Sequence, residues 1–113
     1  MVATPEEQVR QGLLRHLIDD LGFPAELLAV ERGLNERRTD VVAYETQGEN
    51  LVPLLLIECK AVRLSDAALH QVLGYNHHLG AKFVALVNQD VIRMPWGEGE
   101  IDYIPGYTDL AGV

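Results

Sequence analysis

Apolar residues recur along the chain with two different spacings, and these divide it into elements. Val9, Leu13, Leu14, Leu17, Ile18 and Leu21 return at helical intervals across residues 4–21, the pattern of an amphipathic helix. Thr4 suits the N-cap, Pro5 the first helical position, and Glu7 completes a capping box. "LGFP" ends the helix, because Gly22 caps it and Pro24 cannot continue it. "LLAVE" (27–31) reads as a short strand and the β-branched "RTDVVAY" (38–44) as a second. "ETQGEN" follows as a turn. "LVPLLLIECKA" (51–61) is a longer strand whose apolar residues do not alternate, so both of its faces are expected to be covered. "LSDAALHQVLGYNHHLG" (64–80) predicts a second helix, with Ser65 or Asp66 near the N-cap and Gly80 past the end. "AKFVALVN" (81–88) has the pattern of a buried strand. The tail reads as a strand, a Gly-rich loop, a short strand and a surface segment. The order α-β-β-β-α-β-β predicts an α/β sandwich, a central mixed sheet flanked by two main helices. At 113 residues, without repeat, linker or low-complexity tract, residues 1–113 are expected to form a single domain.

Composition narrows the function. The net charge of −8 argues against a generic nucleic-acid binder, which presents a basic face. The nine Lys and Arg are unevenly spread, however: Arg32, Arg37, Arg38, Lys60 and Arg63 fall in the central third, so a local positive rim on an acidic body is compatible with the sequence. The one cysteine, Cys59, permits no disulfide within the chain. The polar start "MVATPEEQVR" lacks a signal-type apolar region, and no apolar run approaches the roughly 20 residues that cross a bilayer. The expectation is a cytoplasmic protein with no membrane partner.

The candidate chemistry sits where the longest apolar run meets charge. "LLLIECK" carries Glu58 and Lys60 straight out of a buried strand, and burying either charge is costly unless it is paired or bound to a metal. A hairpin of residues 38–44 and 51–60 centred on Glu49 sets Asp40 opposite Glu58. Directly opposed residues have Cβ atoms about 4.5–5.5 Å apart, and like charges there repel. A divalent cation removes that penalty; Mg²⁺ takes one or two carboxylates, a backbone carbonyl and several waters. Lys60 projects from the same face as Glu58, while Cys59 points to the other and could offer its backbone carbonyl to the metal. Pro53 is a candidate bulge in the strand. Two carboxylates holding a cation beside an amine are equipped for metal-assisted phosphodiester hydrolysis.

Those residues carry a resemblance. "RRTDVVAY…PLLLIECK" resembles the PD-(D/E)xK nuclease superfamily and, more narrowly, the N-terminal nuclease domain of the restriction subunit of type I restriction enzymes. "PEEQVRQGLLRHLIDDLGFP", "QVLGYN", "FVALVNQD" and "IPGYTDL" fit the same family pattern. The resemblance implies a restriction-endonuclease-like fold, DNA as substrate and Mg²⁺ or Mn²⁺ as cofactor. It assigns metal binding to Asp40 and Glu58, assistance of the attacking water to Lys60, and orientation of substrate or water to Gln71. Gln71 and Tyr75 form its Q-x-x-x-Y motif; at i and i+4 they share a helix face, along the border of the stripe Ala68, Leu69, Val72, Asn76 and Leu79. The family also places a glutamate near the start of the first helix. Glu6 and Glu7 both qualify, and Glu6 is preferred because Glu7 already serves as a cap. Arg37, Arg38 and Arg63 are candidate phosphate contacts. No Walker A motif is present, so the ATP dependence and sequence specificity of large restriction enzymes are not carried over. A homodimer or partner subunits fit the reading.

Blander readings stand beside these. Glu58 and Lys60 can be an ordinary ion pair at a strand end, and Gln71 with Tyr75 an ordinary helix border. His70, His77 and His78 lack a matching carboxylate or cysteine and read as a solvated face. Cys59 reads as a buried, inert thiol. Trp96, Tyr103 and Tyr107 read as core edge or dimer contact rather than base-stacking surfaces. The competing function class is a non-catalytic interaction module on a nuclease fold, favoured by the acidic charge and small size.

Overall fold

The first helix begins where its capping residue stands. In a computed structural model, which describes residues 4–31 and 40–113, the Thr4 hydroxyl accepts from the Glu7 N–H at 3.2 Å. Helix α1 then runs Pro5–Arg15. The helical stretch expected to reach residue 21 does so, but His16–Asp20 widens into a π-helical turn. Gly22, at φ 72°, reverses the chain in the left-handed region that favours glycine.

Six strands follow, in spatial order β1-β2-β3-β4-β5-β6. They are β1 (Leu28–Glu31), β2 (Asp40–Gln47), β3 (Asn50–Cys59), β4 (Phe83–Val87), β5 (Ile92–Trp96) and β6 (Gly99–Ile101). Neighbours pair antiparallel except β3 and β4, which are parallel. A parallel neighbour needs a crossover, and helix α2 (Asp66–Leu79) supplies it. Ser65 caps α2 through the Ala68 N–H at 3.1 Å, and Gly80 ends it at φ 76°. This is the α/β sandwich with a mixed sheet that the sequence predicts, and it is compatible with a restriction-endonuclease-like arrangement.

Alternation along the strands builds two cores. Val41, Ala43, Leu55, Ile57, Cys59, Ala85 and Val87 face α1 and pack with Leu13 and Leu17. Val42, Leu56, Val84 and Leu86 face α2 and pack with Leu69 and Val72. β3 is therefore buried on both sides, which explains its unbroken apolar run. The helices lie on opposite faces of the sheet.

Two expectations need correction. "ETQ" is not turn: β2 continues to Gln47, and only Gly48 and Glu49 form the hairpin loop, with Gly48 at φ 62°. The tail is not merely surface. Tyr107–Leu110 forms a short helix, α3, whose Leu110 is wholly buried. The Tyr107 N–H donates to the Leu21 carbonyl at 2.9 Å and its ring meets Phe23 edge-to-face. Trp96 stacks on Phe83, and Tyr103 stays exposed. Among the described residues, no helix is long and apolar enough to cross a membrane.

Candidate active site

The hairpin β2–β3 decides which acids meet. Asp40 and Glu58 are direct register partners, so their side chains leave the sheet on one face. That face is the α2 side, shared with Val42 and Leu56. The pairing survives a compensation. Near the turn the loop is one residue shorter than a hairpin centred on Glu49 would make it, and a bulge between the Ala43–Leu55 and Tyr44–Pro53 pairs restores the register. Leu54 is the extra residue, which is why the consecutive Leu54 and Leu55 both join the α1-side core. Pro53, unable to donate to the ladder, stands beside the bulge. The register row extends one strand further, since the backbone of Glu31 pairs with that of Asp40.

Both acids are deeply buried, Asp40 at 1% exposure and Glu58 at 3%. Lys60, just past the end of β3, holds its Nζ 3.6 Å from Glu58 Oε1. That is longer than a direct charge-assisted hydrogen bond, about 2.7–2.9 Å. Glu58 Oε2 is buried and meets no hydrogen-bond donor among the described residues. Burial raises the Glu58 pKa above the ordinary carboxylate range, and the positive charge of Lys60 opposes this without cancelling it. The Lys60 amine keeps access to solvent, with its side chain 21% exposed.

Cys59 points the other way, into the α1-side core. Burial pushes its thiol up to about 12; the Asp40 carboxylate adds to the shift and the Arg10 guanidinium opposes it. A thiol so held is no nucleophile at neutral pH. Its backbone carbonyl ends β3, next to Glu58.

The remaining candidates are more scattered. Glu6 is half-buried in the first turn of α1, the helix on the opposite face from Glu58. Among the described residues no three His, Cys, Asp or Glu side chains gather as a metal cluster, so Glu6 does not join Asp40 and Glu58 in one. Gln71 is exposed on α2, while Tyr75 is half-buried against the α2-side core. Arg63 is exposed and, with Leu64, Ser65, Asp66 and Arg93, lines a cleft of about 380 Å³. Arg93 is already paired with Asp66 and Glu100, each at 2.9 Å. Arg37 and Arg38 lie outside the described residues. His70, His77 and His78 are exposed.

Several polar side chains hold the fold together beyond those the sequence singles out. Asn76, on the otherwise apolar stripe of α2, clasps the Ala81 backbone at both N–H and carbonyl, each at 2.9 Å, and so ties the end of α2 to the start of β4. Asn88 bonds three backbone groups in two different loops. Glu45 is a buried carboxylate with Lys82 at 2.9 Å. The signal for Glu45 was present, because it continues the inward alternation of Val41 and Ala43.

A mixed α/β sheet whose central parallel strand delivers a buried acid, with a second acid opposite and an amine beyond it, defines an α/β domain with a carboxylate-lined strand end. The family described as type I restriction enzyme R protein N terminus matches residues 5–98, and the chain belongs to that family. No curated protein and no solved structure matches the chain.

Proposed function

We propose that this domain is a metal-dependent nuclease of the PD-(D/E)xK type, hydrolysing phosphodiester bonds in DNA. One observation carries the reading: Asp40 and Glu58 stand directly opposed and buried, and the second oxygen of Glu58 lacks a donor among the described residues, beside an amine that solvent can reach. The family membership supports DNA as the substrate class.

The donor set suits Mg²⁺ or Mn²⁺. Two hard carboxylate oxygens and a strand-end carbonyl at Cys59 match the protein's share of the way Mg²⁺ is bound, through one or two carboxylates beside other oxygen ligands. When bound, such an ion polarises a phosphate and acidifies water. The residues of the chain do the rest. Asp40 and Glu58 fix the ion's place at the strand end. Lys60, close to Glu58 but not spent on a short hydrogen bond to it, orients the attacking water or neutralises charge growing on the phosphate oxygens. Gln71 and Tyr75 lie on the helix that covers the same face and guide substrate to it. Hydrolysis adds the water oxygen to phosphorus, breaks one P–O ester bond and leaves the displaced oxygen protonated.

The test is cleavage of supercoiled, linear duplex and single-stranded DNA with Mn²⁺, comparing the wild type with Asp40→Ala and Lys60→Ala. Wild-type cleavage is expected, with a loss of at least about 10²-fold in each variant. Equal cleavage by all three proteins would locate the activity elsewhere. No cleavage by any of them, together with no rise in melting temperature on adding Mn²⁺, would favour the non-catalytic interaction module.

A further inference from the structure

The loop that leaves β3 decides where the Lys60 amine stands, and a residue distant in sequence holds that loop. Lys60 is the first residue past β3, and its N–H donates to the Val87 carbonyl at 2.8 Å, at the end of β4. The chain then runs through exposed Ala61, Val62 and Arg63 before Leu64 is buried and Ser65 caps α2. Exposed backbone of this kind drifts unless something ties it down.

Asn88 is such a tie. Its side-chain oxygen accepts from the N–H groups of Asp90 at 2.9 Å and Val91 at 2.8 Å, closing the turn between β4 and β5. Its own N–H donates to the Val91 carbonyl at 3.0 Å. Its side-chain amide faces the other way and donates to the Val62 carbonyl at 3.0 Å. A single side chain thus braces the turn after β4 against the loop after β3. The same loop leads into the helix bearing Gln71 and Tyr75.

We propose that Asn88 is a positioning residue for the site, fixing the 60–64 loop and through it the direction of the Lys60 amine. The inference rests on the nuclease reading for its effect on catalysis, though not for its effect on the loop. The chemistry of the amide allows the two functions of Asn88 to be separated. Asn88→Asp keeps an oxygen for the Asp90 and Val91 N–H groups but loses the donor to Val62. Asn88→Ser keeps a shorter acceptor for the turn, loses the same donor and adds no charge, so agreement between the two variants excludes a charge effect.

The experiment combines amide hydrogen exchange with DNA cleavage in Mn²⁺. Both variants are expected to exchange faster at the Lys60 N–H, which donates to the Val87 carbonyl at the start of the loop, while Asp90 and Val91 stay protected. They are expected to lose about 10- to 10²-fold in kcat, the scale of a small misplacement of a catalytic group. KM for DNA and the Mn²⁺-induced shift in melting temperature should stay near wild type, whereas general destabilisation would move both. Wild-type exchange at the Lys60 N–H in both variants would overturn the proposal, as would unchanged kcat in the presence of faster exchange. If the wild type itself cleaves nothing, the nuclease reading fails and the exchange result alone decides whether Asn88 holds the loop.

Discussion

Glu45 and Glu58 are the same residue type on neighbouring strands of one sheet, and both are almost completely buried, at 4% and 3% exposure. Their surroundings differ. Glu45 accepts from the Gly112 N–H at 3.0 Å and has Lys82 at 2.9 Å, and these donors, led by Lys82, hold its pKa below the ordinary value. Glu58 has its amine at 3.6 Å and an oxygen with no donor among the described residues, and burial drives its pKa up. Glu45 has a close amine and a backbone donor and serves the fold, although its Oε2, like that of Glu58, meets no well-formed hydrogen bond among the described residues. Glu58 has only the more distant amine, and on the nuclease reading proposed above a bound cation would complete its surroundings. On that reading the contrast sets a structural ion pair beside a functional one, and the comparison can be tested.

The comparison breaks if the two glutamates respond alike to neutralisation. Glu45→Gln is expected to lower stability by about 2 kcal/mol, below the 3–5 kcal/mol of a fully buried pair because Lys82 keeps some water. Without metal, Glu58→Gln is expected to act in the opposite direction, raising stability by roughly 1 kcal/mol as the desolvated charge disappears. Its amine, on a Lys60 side chain that is 21% exposed, is then free to hydrate. Urea melts of both variants at neutral pH check the signs, and a loss in both would mean that Glu58 is an ordinary structural ion pair.

Divalent cation should sharpen the difference. At a concentration about 100-fold above its dissociation constant, Mn²⁺ stabilises the native state by about 2.7 kcal/mol. That gain is expected in the wild type and in Glu45→Gln, and is expected to vanish in Glu58→Gln and Asp40→Asn. Thermal melts with and without Mn²⁺ measure it; an undiminished shift in Glu58→Gln would place the cation somewhere else.

The contrast also shows what the sequence could and could not reveal. The pairing of Asp40 with Glu58 was legible because strands have a side-chain period of two and "QGEN" locates a turn. A hairpin centred on Glu49 yields the same pair, since the shorter loop and the bulge at Leu54 offset each other. The double burial of β3 was legible from its unbroken apolar run. Glu45 was not, because the polar composition of "ETQGEN" masked the continuing alternation. Nor was the burial of Leu110, which depends on a helical turn docking beside Leu21 and Phe23. Asn76 and Asn88 were illegible for a related reason: their partners are backbone groups, which carry no residue-specific signal.

The smallest expected effect is a difference in pH dependence, and its sign follows from the two shifts. Glu45 has a depressed folded pKa, so its stabilisation is complete above the unfolded value, near 4.5, and is lost only as pH falls through the folded value below it. Glu58 has a raised folded pKa. Its penalty is absent below the unfolded value, accumulates as pH rises toward the folded value and is complete above that. In metal-free protein the stability advantage of Glu58→Gln over wild type should therefore shrink on acidification and be gone by about pH 4.5. The deficit of Glu45→Gln should persist unchanged over that same range and close only at lower pH. Melting temperatures of the three proteins between neutrality and acid provide the measurement, and Mn²⁺ supplies a control, because a bound cation keeps Glu58 ionised and moves its titration downward. If the Glu58→Gln advantage instead widened on acidification, the Glu58 carboxylate would be stabilised in the native state, and the open site inferred from its geometry would be closed by partners of its own.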